Sequence, residues 1–202
     1  MAQNVFPTKN NLMQTKKTLR LARTGYELMD RKRSILMQEI MTLMDEAESI
    51  GQEISDIYKE AYDALRLAIV IIGIDEGMHL PVPIDNSLNI TVRSVNGVEL
   101  PTVTIGENEN ILHYGIENTC RELDTAFFKF NEAKKLTAKY AQIQSNVCRL
   151  AEAVKKTQKR TNALGNIMIP KLENTVKFIS ETLDEREREE FSRLKVIKGP
   201  DT

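Results

Sequence analysis

From Leu12 to Ile71, apolar residues return every seven positions in two interleaved series. One runs Leu12, Leu19, Tyr26, Arg33, Ile40, Ala47, Ile54, Ala61, Ala68. The other runs Ala22, Met29, Leu36, Leu43, Ile50, Ile57, Ala64, Ile71. Only Arg33, with Thr15 ahead of Ala22, breaks the apolar character of this seam. A strict heptad repeat keeps its stripe on a partner helix by under-winding to ~3.5 residues per turn, which imposes a left-handed supercoil. An ordinary long bundle helix is the competing reading, but its stripe would be wider and would end sooner. The pattern predicts a helix from about Lys9 to about Ile72, with Thr8 as N-cap after Pro7. Gly25 lies inside this helix at a cost of ~1 kcal/mol against Ala. It is a candidate point of close approach by the partner helix.

The helical pattern stops at Gly73, and residues 73–115 read differently. Gly77, Gly97, Gly106, Pro81, Pro83 and Pro101 punctuate this insert. Leu88, Ile90 and Val92 alternate with polar residues, as in a half-buried strand. Asn96-Gly97 separates this run from Val98–Ile105. An Asn-Gly pair suits a type I′ turn, whose two central residues both need φ > 0, so a β-hairpin is expected. Pro101 must then lie on an edge or point away from the ladder. A lone hairpin is marginal in water, so its apolar face should rest on the coil or on a partner.

A second helix is expected from near Tyr114 to about Lys195. Ile116, Cys120, Leu123, Phe127 and Phe130 open its seam, and Ala133, Leu136, Tyr140, Ile143, Val147, Leu150 and Val154 continue it. The additional three-residue step near Phe130 reads as a stammer, a local overwinding. Phe127, Phe128 and Phe130 leave both faces apolar at that level. The seam shifts again after Leu164, where Gly165 and Pro170 predict a kink. The run Asp184–Glu190 is highly charged and fits a solvated face with weak ion pairs.

These elements divide the chain into an N-terminal helix (1–72), an insert (73–115), a C-terminal helix (116–195) and a flexible tail (196–202). The fold class expected is mainly α: a long antiparallel two-helix left-handed coiled coil with a small β-hairpin insert between the helices. Parallel pairing would need a long return connection that the insert cannot supply. At ~1.5 Å per residue the first helix would span roughly 95 Å, giving a rod with both termini at one end.

Composition sharpens this picture. The 202 residues include no Trp, 5% aromatics and 28% charged residues, which suits long helices better than a compact core. A formal net charge of −1 gives no global sign of nucleic-acid binding. Cys120 and Cys148 would sit roughly 40 Å apart on one helix, too far to bridge. Reduced thiols fit a cytosolic protein. The leading MAQNVFPTKNN lacks a signal-peptide apolar region, and the longest apolar run, 68–74, cannot span a bilayer. The Asn89-Ile90-Thr91 sequon reads as chance without a secretory signal. His79 and His113 have no supporting ligands at useful spacing and read as ordinary loop histidines.

The early turns of the first helix are strongly basic: Lys9, Lys16, Lys17, Arg20, Arg23, Arg31, Lys32 and Arg33, against Glu27 and Asp30. A solvated face, a collar that meets an acidic or carbonyl-lined protein surface, and a nucleic-acid patch are the three readings. The last lacks interleaved aromatics. No GxxxxGK[ST], GxGxxG, HExxH, CxxC or GxSxG motif is present. A two-helix rod also offers little concave space for a water-excluded site, which argues against an enzyme.

Lys159-Arg160-Thr161-Asn162-Ala163-Leu164, then Ile169-Pro170-Lys171-Leu172-Glu173-Asn174-Thr175-Val176, then Leu183–Glu190 and Arg193-Leu194-Lys195, closely resemble the D subunit of the V-type and archaeal-type rotary ATPases. Pro7-Thr8-Lys9, Leu12, Lys16-Lys17, Leu19, Ala22, Gly25 and Lys32-Arg33 fit as well. The hairpin is matched in type only. Gly165 departs from the larger, often acidic residue usual there.

The resemblance implies a central rotor axle without catalytic residues, cofactor or metal. Its terminal end would insert into the hexamer of catalytic A and nucleotide-binding B subunits. The F subunit would bind its side, and a funnel-like central-stalk subunit on the membrane ring would meet its other end. The protein would be cytoplasmic and peripheral to the membrane, with no direct membrane insertion and no nucleic-acid partner. The expected hexamer-facing residues are Lys9, Lys16, Lys17, Arg20, Arg23, Lys32, Arg33, Lys159, Arg160, Asn162, Leu164 and Pro170. The hairpin turn, Asn96 and Gly97, is expected to tune coupling or partner contact. The competing functions are a cytosolic coiled-coil adaptor or export-apparatus stalk, and a coiled coil that holds nucleic acid with its basic turns.

Overall fold

A computed structural model describes residues 6–73, 87–106 and 120–199. Its elements are α1 (Lys9–Ile72), β1 (Leu88–Val95), β2 (Val98–Ile105), α2 (Arg121–Ala163), a π-helical turn (Leu164–Met168) and α3 (Ile169–Lys198). His79, His113, the inner prolines Pro81 and Pro83, Gly77 and the helix start expected near Tyr114 all fall outside the described residues. The chain forms two compact units. One joins residues 1–35 to 154–202, and the other is Leu36–Ala153.

Helix α1 begins where its residues dictate. The Thr8 hydroxyl accepts the Asn11 N–H at 3.2 Å, and the Thr8 carbonyl accepts the Leu12 N–H. This satisfies donors that a helix N-terminus otherwise leaves open. The helix ends at Gly73, whose φ of 81° suits a residue without a Cβ.

In the Leu36–Ala153 unit, α1 buries Leu36, Ile40, Ile50, Ile57, Ala61 and Ala68. Their spacing keeps to the two heptad series, so the seam is the interface. The facing helix buries Leu123, Ala126, Ala133, Ile143 and Leu150. Ala126 takes the buried place that the sequence suggests for Phe127. Pairs across the seam run in opposite senses: Lys139 Nζ meets Glu46 at 3.2 Å and Lys129 Nζ meets Glu60 at 2.9 Å, so the helices are antiparallel. Phe130 packs edge-on against Tyr58 and Tyr62, with ring centroids 6.3 and 5.3 Å away. That arrangement suits the aromatic quadrupoles.

The hairpin is held through the edge of β2. The strands pair antiparallel from Val95↔Val98 to Leu88↔Ile105 around Asn96 (φ 50°) and Gly97 (φ 76°). In this register Glu99, Pro101 and Val103 turn their backbone polar groups outward. Two of these groups are bonded to α2, and one possible donor is absent. Arg149 donates to the Glu99 carbonyl at 3.1 Å, Pro101 has no N–H, and Val103 N–H donates to Gln142 Oε1 at 2.7 Å. Gln142 and Arg149 lie one heptad apart on α2, which lets them reach along one strand.

The Leu88, Ile90 and Val92 face, expected to rest on the coil or on a partner, is not the one buried within this chain. Leu100 is fully buried, whereas Leu88, Ile90 and Val92 are 51%, 60% and 63% exposed. Residues paired across a ladder share a face, so Leu88, Ile90 and Val92 lie with Ile105, Val103 and Pro101, and Leu100 lies on the other side.

The unit that joins the two terminal segments has a thinner core. Among its described residues only Thr157, Thr161 and Ile179 are buried. Leu12, Leu19, Ala22, Met29, Val154, Leu164, Leu172, Val176 and Leu183 line the seam half-buried. Its helices are antiparallel too, since Lys9 meets Glu187 at 2.8 Å and Arg23 meets Glu173 at 2.7 Å. No helix among the described residues is long and apolar enough to cross a membrane.

Candidate interaction surfaces

The basic turns of α1 divide into two sets. Lys9, Arg23 and Arg33 are pinned within their own unit. Arg33 answers for its place in an apolar seam by pairing with Asp30 at 2.6 Å and donating to Gln158 Oε1 at 3.0 Å. Gln158 Nε2 in turn donates to Asn162 Oδ1 at 3.3 Å. This chain of polar contacts brings Asp30, Arg33, Gln158 and Asn162 together around the seam break: a buried or half-buried charge needs such partners.

Lys16, Lys17, Arg20, Lys159 and Arg160 are exposed, and Lys32 is half-exposed. Among the described residues none of these six has a carboxylate within ion-pair distance. They are cations without a local structural task. Leu164 is half-buried inside the π turn, and Pro170 is exposed in the first turn of α3.

The same unit exposes apolar side chains. Leu21, Leu28, Ile167, Phe178, Phe191, Leu194 and Ile197 are all more than half exposed. A concentration of large apolar residues on a surface marks contact with something else. The sequence pattern shows the charges but not these residues as a group. Leu21 and Leu28 lie two positions past the first heptad series, and that offset from the seam is the available signal.

Electrostatics here is that of exposed ion pairs. The hydrogen bond to Lys9 holds the Glu187 carboxyl below its ordinary pKa, and the same bond raises Lys9. Lys129 is raised by its hydrogen bond to Glu60. Arg186 also donates to the Pro7 carbonyl at 3.3 Å, a second tie between the two terminal segments.

The glycine that marks a close approach is Gly165, and Gly25 is not one. A Cβ at Gly25 would meet nothing within 4 Å, whereas one at Gly165 would lie 2.8 Å from Tyr26 Cε2. Tyr26 belongs to the first heptad series, and its ring covers the backbone at the π turn.

Antiparallel helix pairs with a strapped-on hairpin, presenting free cations and apolar stripes, define an interaction protein built on a helical hairpin. The comparison with known proteins narrows the class. The sequence profile of the ATP synthase D subunit matches residues 11–199, and the chain belongs to that family. It is 42% identical over 197 residues to the V-type ATP synthase D subunit of Thermotoga neapolitana, covering 96% of this chain and 97% of that protein. It is 37% identical over 200 residues to the A-type ATP synthase D subunit of Pyrococcus furiosus, covering 96% and 94%. For the A-type ATP synthase D subunit of Methanobrevibacter smithii the figures are 32% over 208 residues, 98% and 90%. The chain is accordingly one component of a rotary ATPase assembly, and its partners are other components of that assembly.

Proposed function

We propose that the chain is the central-stalk axle of a V/A-type rotary ATPase and carries torque between the catalytic A/B hexamer and the membrane ion-translocating ring. It takes no part in the chemistry of ATP. The F subunit and the funnel-like subunit on the ring complete its contacts, and it stays in the cytoplasm, peripheral to the membrane.

The observation that carries this reading is the unit built from both terminal segments. It buries little of its own apolar surface, exposes Leu21, Leu28, Phe178 and Phe191, and displays Lys16, Lys17, Arg20, Lys32, Lys159 and Arg160, which no local carboxylate answers among the described residues. Such a surface suits enclosure by a larger assembly. An antiparallel pair also differs around its circumference, so three surrounding catalytic sites would each meet a different face. Differential contact of that kind is what shifts the states of those sites, since only differential interaction free energy moves an equilibrium.

In this reading Lys16, Lys17, Arg20, Lys32, Lys159 and Arg160 face the hexamer with Leu164, while Lys9, Arg23, Arg33 and Asn162 hold the unit that presents them. Pro170 sits beside them on α3. The hairpin turn at Asn96-Gly97 tunes partner contact.

The test is reconstitution with candidate A, B and F subunits, followed by native mass spectrometry and ATPase rate. One copy per hexamer, with turnover dependent on it, is the expected result. Reversing Lys16, Lys17, Arg20, Lys159 and Arg160 to Glu should weaken assembly, more so at low salt because exposed charge is screened. A chain that pairs only with itself, or assembly indifferent to the five reversals across a salt series, would defeat the proposal.

A further inference from the structure

The two seams of the terminal unit stay in phase across a one-residue discrepancy. Thr157 and Thr161 are buried before the π turn, and Leu172, Val176 and Ile179 occupy the interface after it. From Thr157 to Leu172 is one residue more than the ~14 that four half-heptad steps supply. A π turn closes i→i+5 bonds and so accommodates one residue beyond the α count. Ile169 N–H bonds to the Leu164 carbonyl, which shows that wider closure directly. If the same residues were wound as a continuous α-helix, α3 would be turned by ~100° about its axis, because an α-helix holds ~3.6 residues per turn. Ile179 would leave the interface, and Glu173 and Glu187 would turn away from Arg23 and Lys9.

Two neighbours bear on that turn. Pro170 has no N–H, and in a continuous α-helix its ring would press on the Asn166 carbonyl four residues back. Gly165, inside the turn, lies under the Tyr26 ring.

We propose that the π turn at Leu164–Met168 is a phase-setting joint: a one-residue insertion that fixes the rotational angle of α3 on α1, with Pro170 barring its closure to an α-helix. The joint decides which residues of α3 the unit presents outward. It depends on this unit alone, whatever the chain assembles with.

The joint predicts an asymmetry between removing and adding a residue. Asn166 is deleted in one full-length chain, and one Ala is inserted after Asn166 in another, both carrying Pro170→Ala. The reporter is Ile179→Cys in a chain with Cys120→Ser and Cys148→Ser, labelled with a maleimide, alongside the denaturant midpoint of each chain without the reporter. Deletion closes the turn to an α-helix and keeps residue 179 inside. Its labelling rate should stay within about threefold of the undeleted Pro170→Ala chain, against at least about tenfold faster labelling after insertion. Deletion and insertion that accelerate labelling alike, or a deleted chain that fails to fold while the inserted one folds, would overturn the joint. Restoring Pro170 should lower the midpoint much more in the deleted chain than in the undeleted one. An equal change in both would show that Pro170 does not bar closure.

Discussion

Replacing Gly165 with Ala sets two effects of similar size against each other. Ala is favoured over Gly in a helix by ~1 kcal/mol. The new methyl, however, would lie 2.8 Å from Tyr26 Cε2 and 3.3 Å from Cδ2. Carbon atoms in good contact sit about 3.5–4.0 Å apart, so the ring must move. Overpacking of this kind costs ~1–3 kcal/mol. Tyr26 is 37% exposed, so its ring can swing toward solvent and the cost belongs in the lower half of that range. Gly165→Ala alone should therefore be neutral or destabilising by up to about 1 kcal/mol. In a Tyr26→Ala chain the obstacle is gone, and the same change should stabilise by ~1 kcal/mol. The sign reversal amounts to a coupling of ~1–2 kcal/mol, within reach of a double-mutant cycle. Urea unfolding of the four chains by far-ultraviolet circular dichroism measures it. Equal stabilisation by Gly165→Ala in both backgrounds would refute the claim that the ring rests on this glycine.

Three further expectations come from other parts of the chain. Asn146 is buried and its Oδ1 has no hydrogen-bond partner, so Asn146→Leu should raise stability by ~1–2 kcal/mol in chemical denaturation, and a loss would show that the amide is satisfied. Gly97→Ala forces a side chain into φ 76° and should cost ~1–2 kcal/mol, seen as faster amide exchange along β1 and β2; unchanged exchange would contradict the turn geometry. The Lys9–Glu187 bond gives a signed pH dependence: Glu187, lowered, contributes fully above its unfolded pKa and loses this as pH falls through the folded value, whereas Lys9, raised, contributes fully below its unfolded pKa and loses this as pH rises through the folded one. The midpoint advantage over Lys9→Met should thus be flat near neutrality and shrink below about pH 4, and an advantage that grows on acidification would reverse the assignment.

Periodicity makes much of this fold readable, because burial along α1 follows the same heptads that the sequence spells out at Leu36, Ile40, Ile50, Ile57, Ala61 and Ala68. The hairpin turn is readable for a different reason: Asn96-Gly97 tolerates the left-handed backbone that joins two such strands. Which face of the hairpin goes inward is not readable. β2 carries Leu100 on one face and Val103 and Ile105 on the other, so alternation leaves both faces apolar and does not choose between them. The π turn shows in the sequence as a shift after Leu164 that Pro170 accounts for equally well as a kink, since period alone does not distinguish a bend from an added residue. The division of cations into pinned and free is hidden because Glu173 and Glu187 lie some 150 residues or more from Arg23 and Lys9. Local pattern carries no record of such distant partners.

The capping of β2 by Gln142 and Arg149 also limits how copies of this protein can join through their strands. A sheet with two open edges can recruit neighbours indefinitely and grow into a fibre. Here Arg149 and Gln142 of the same chain already occupy groups at Glu99 and Val103 on one edge, so β1 offers the more open side of the hairpin. Two molecules that joined β1 to β1 would be left with only the partly occupied β2 edges to extend. The two bonds from α2 therefore disfavour growth of a strand-mediated assembly beyond a pair.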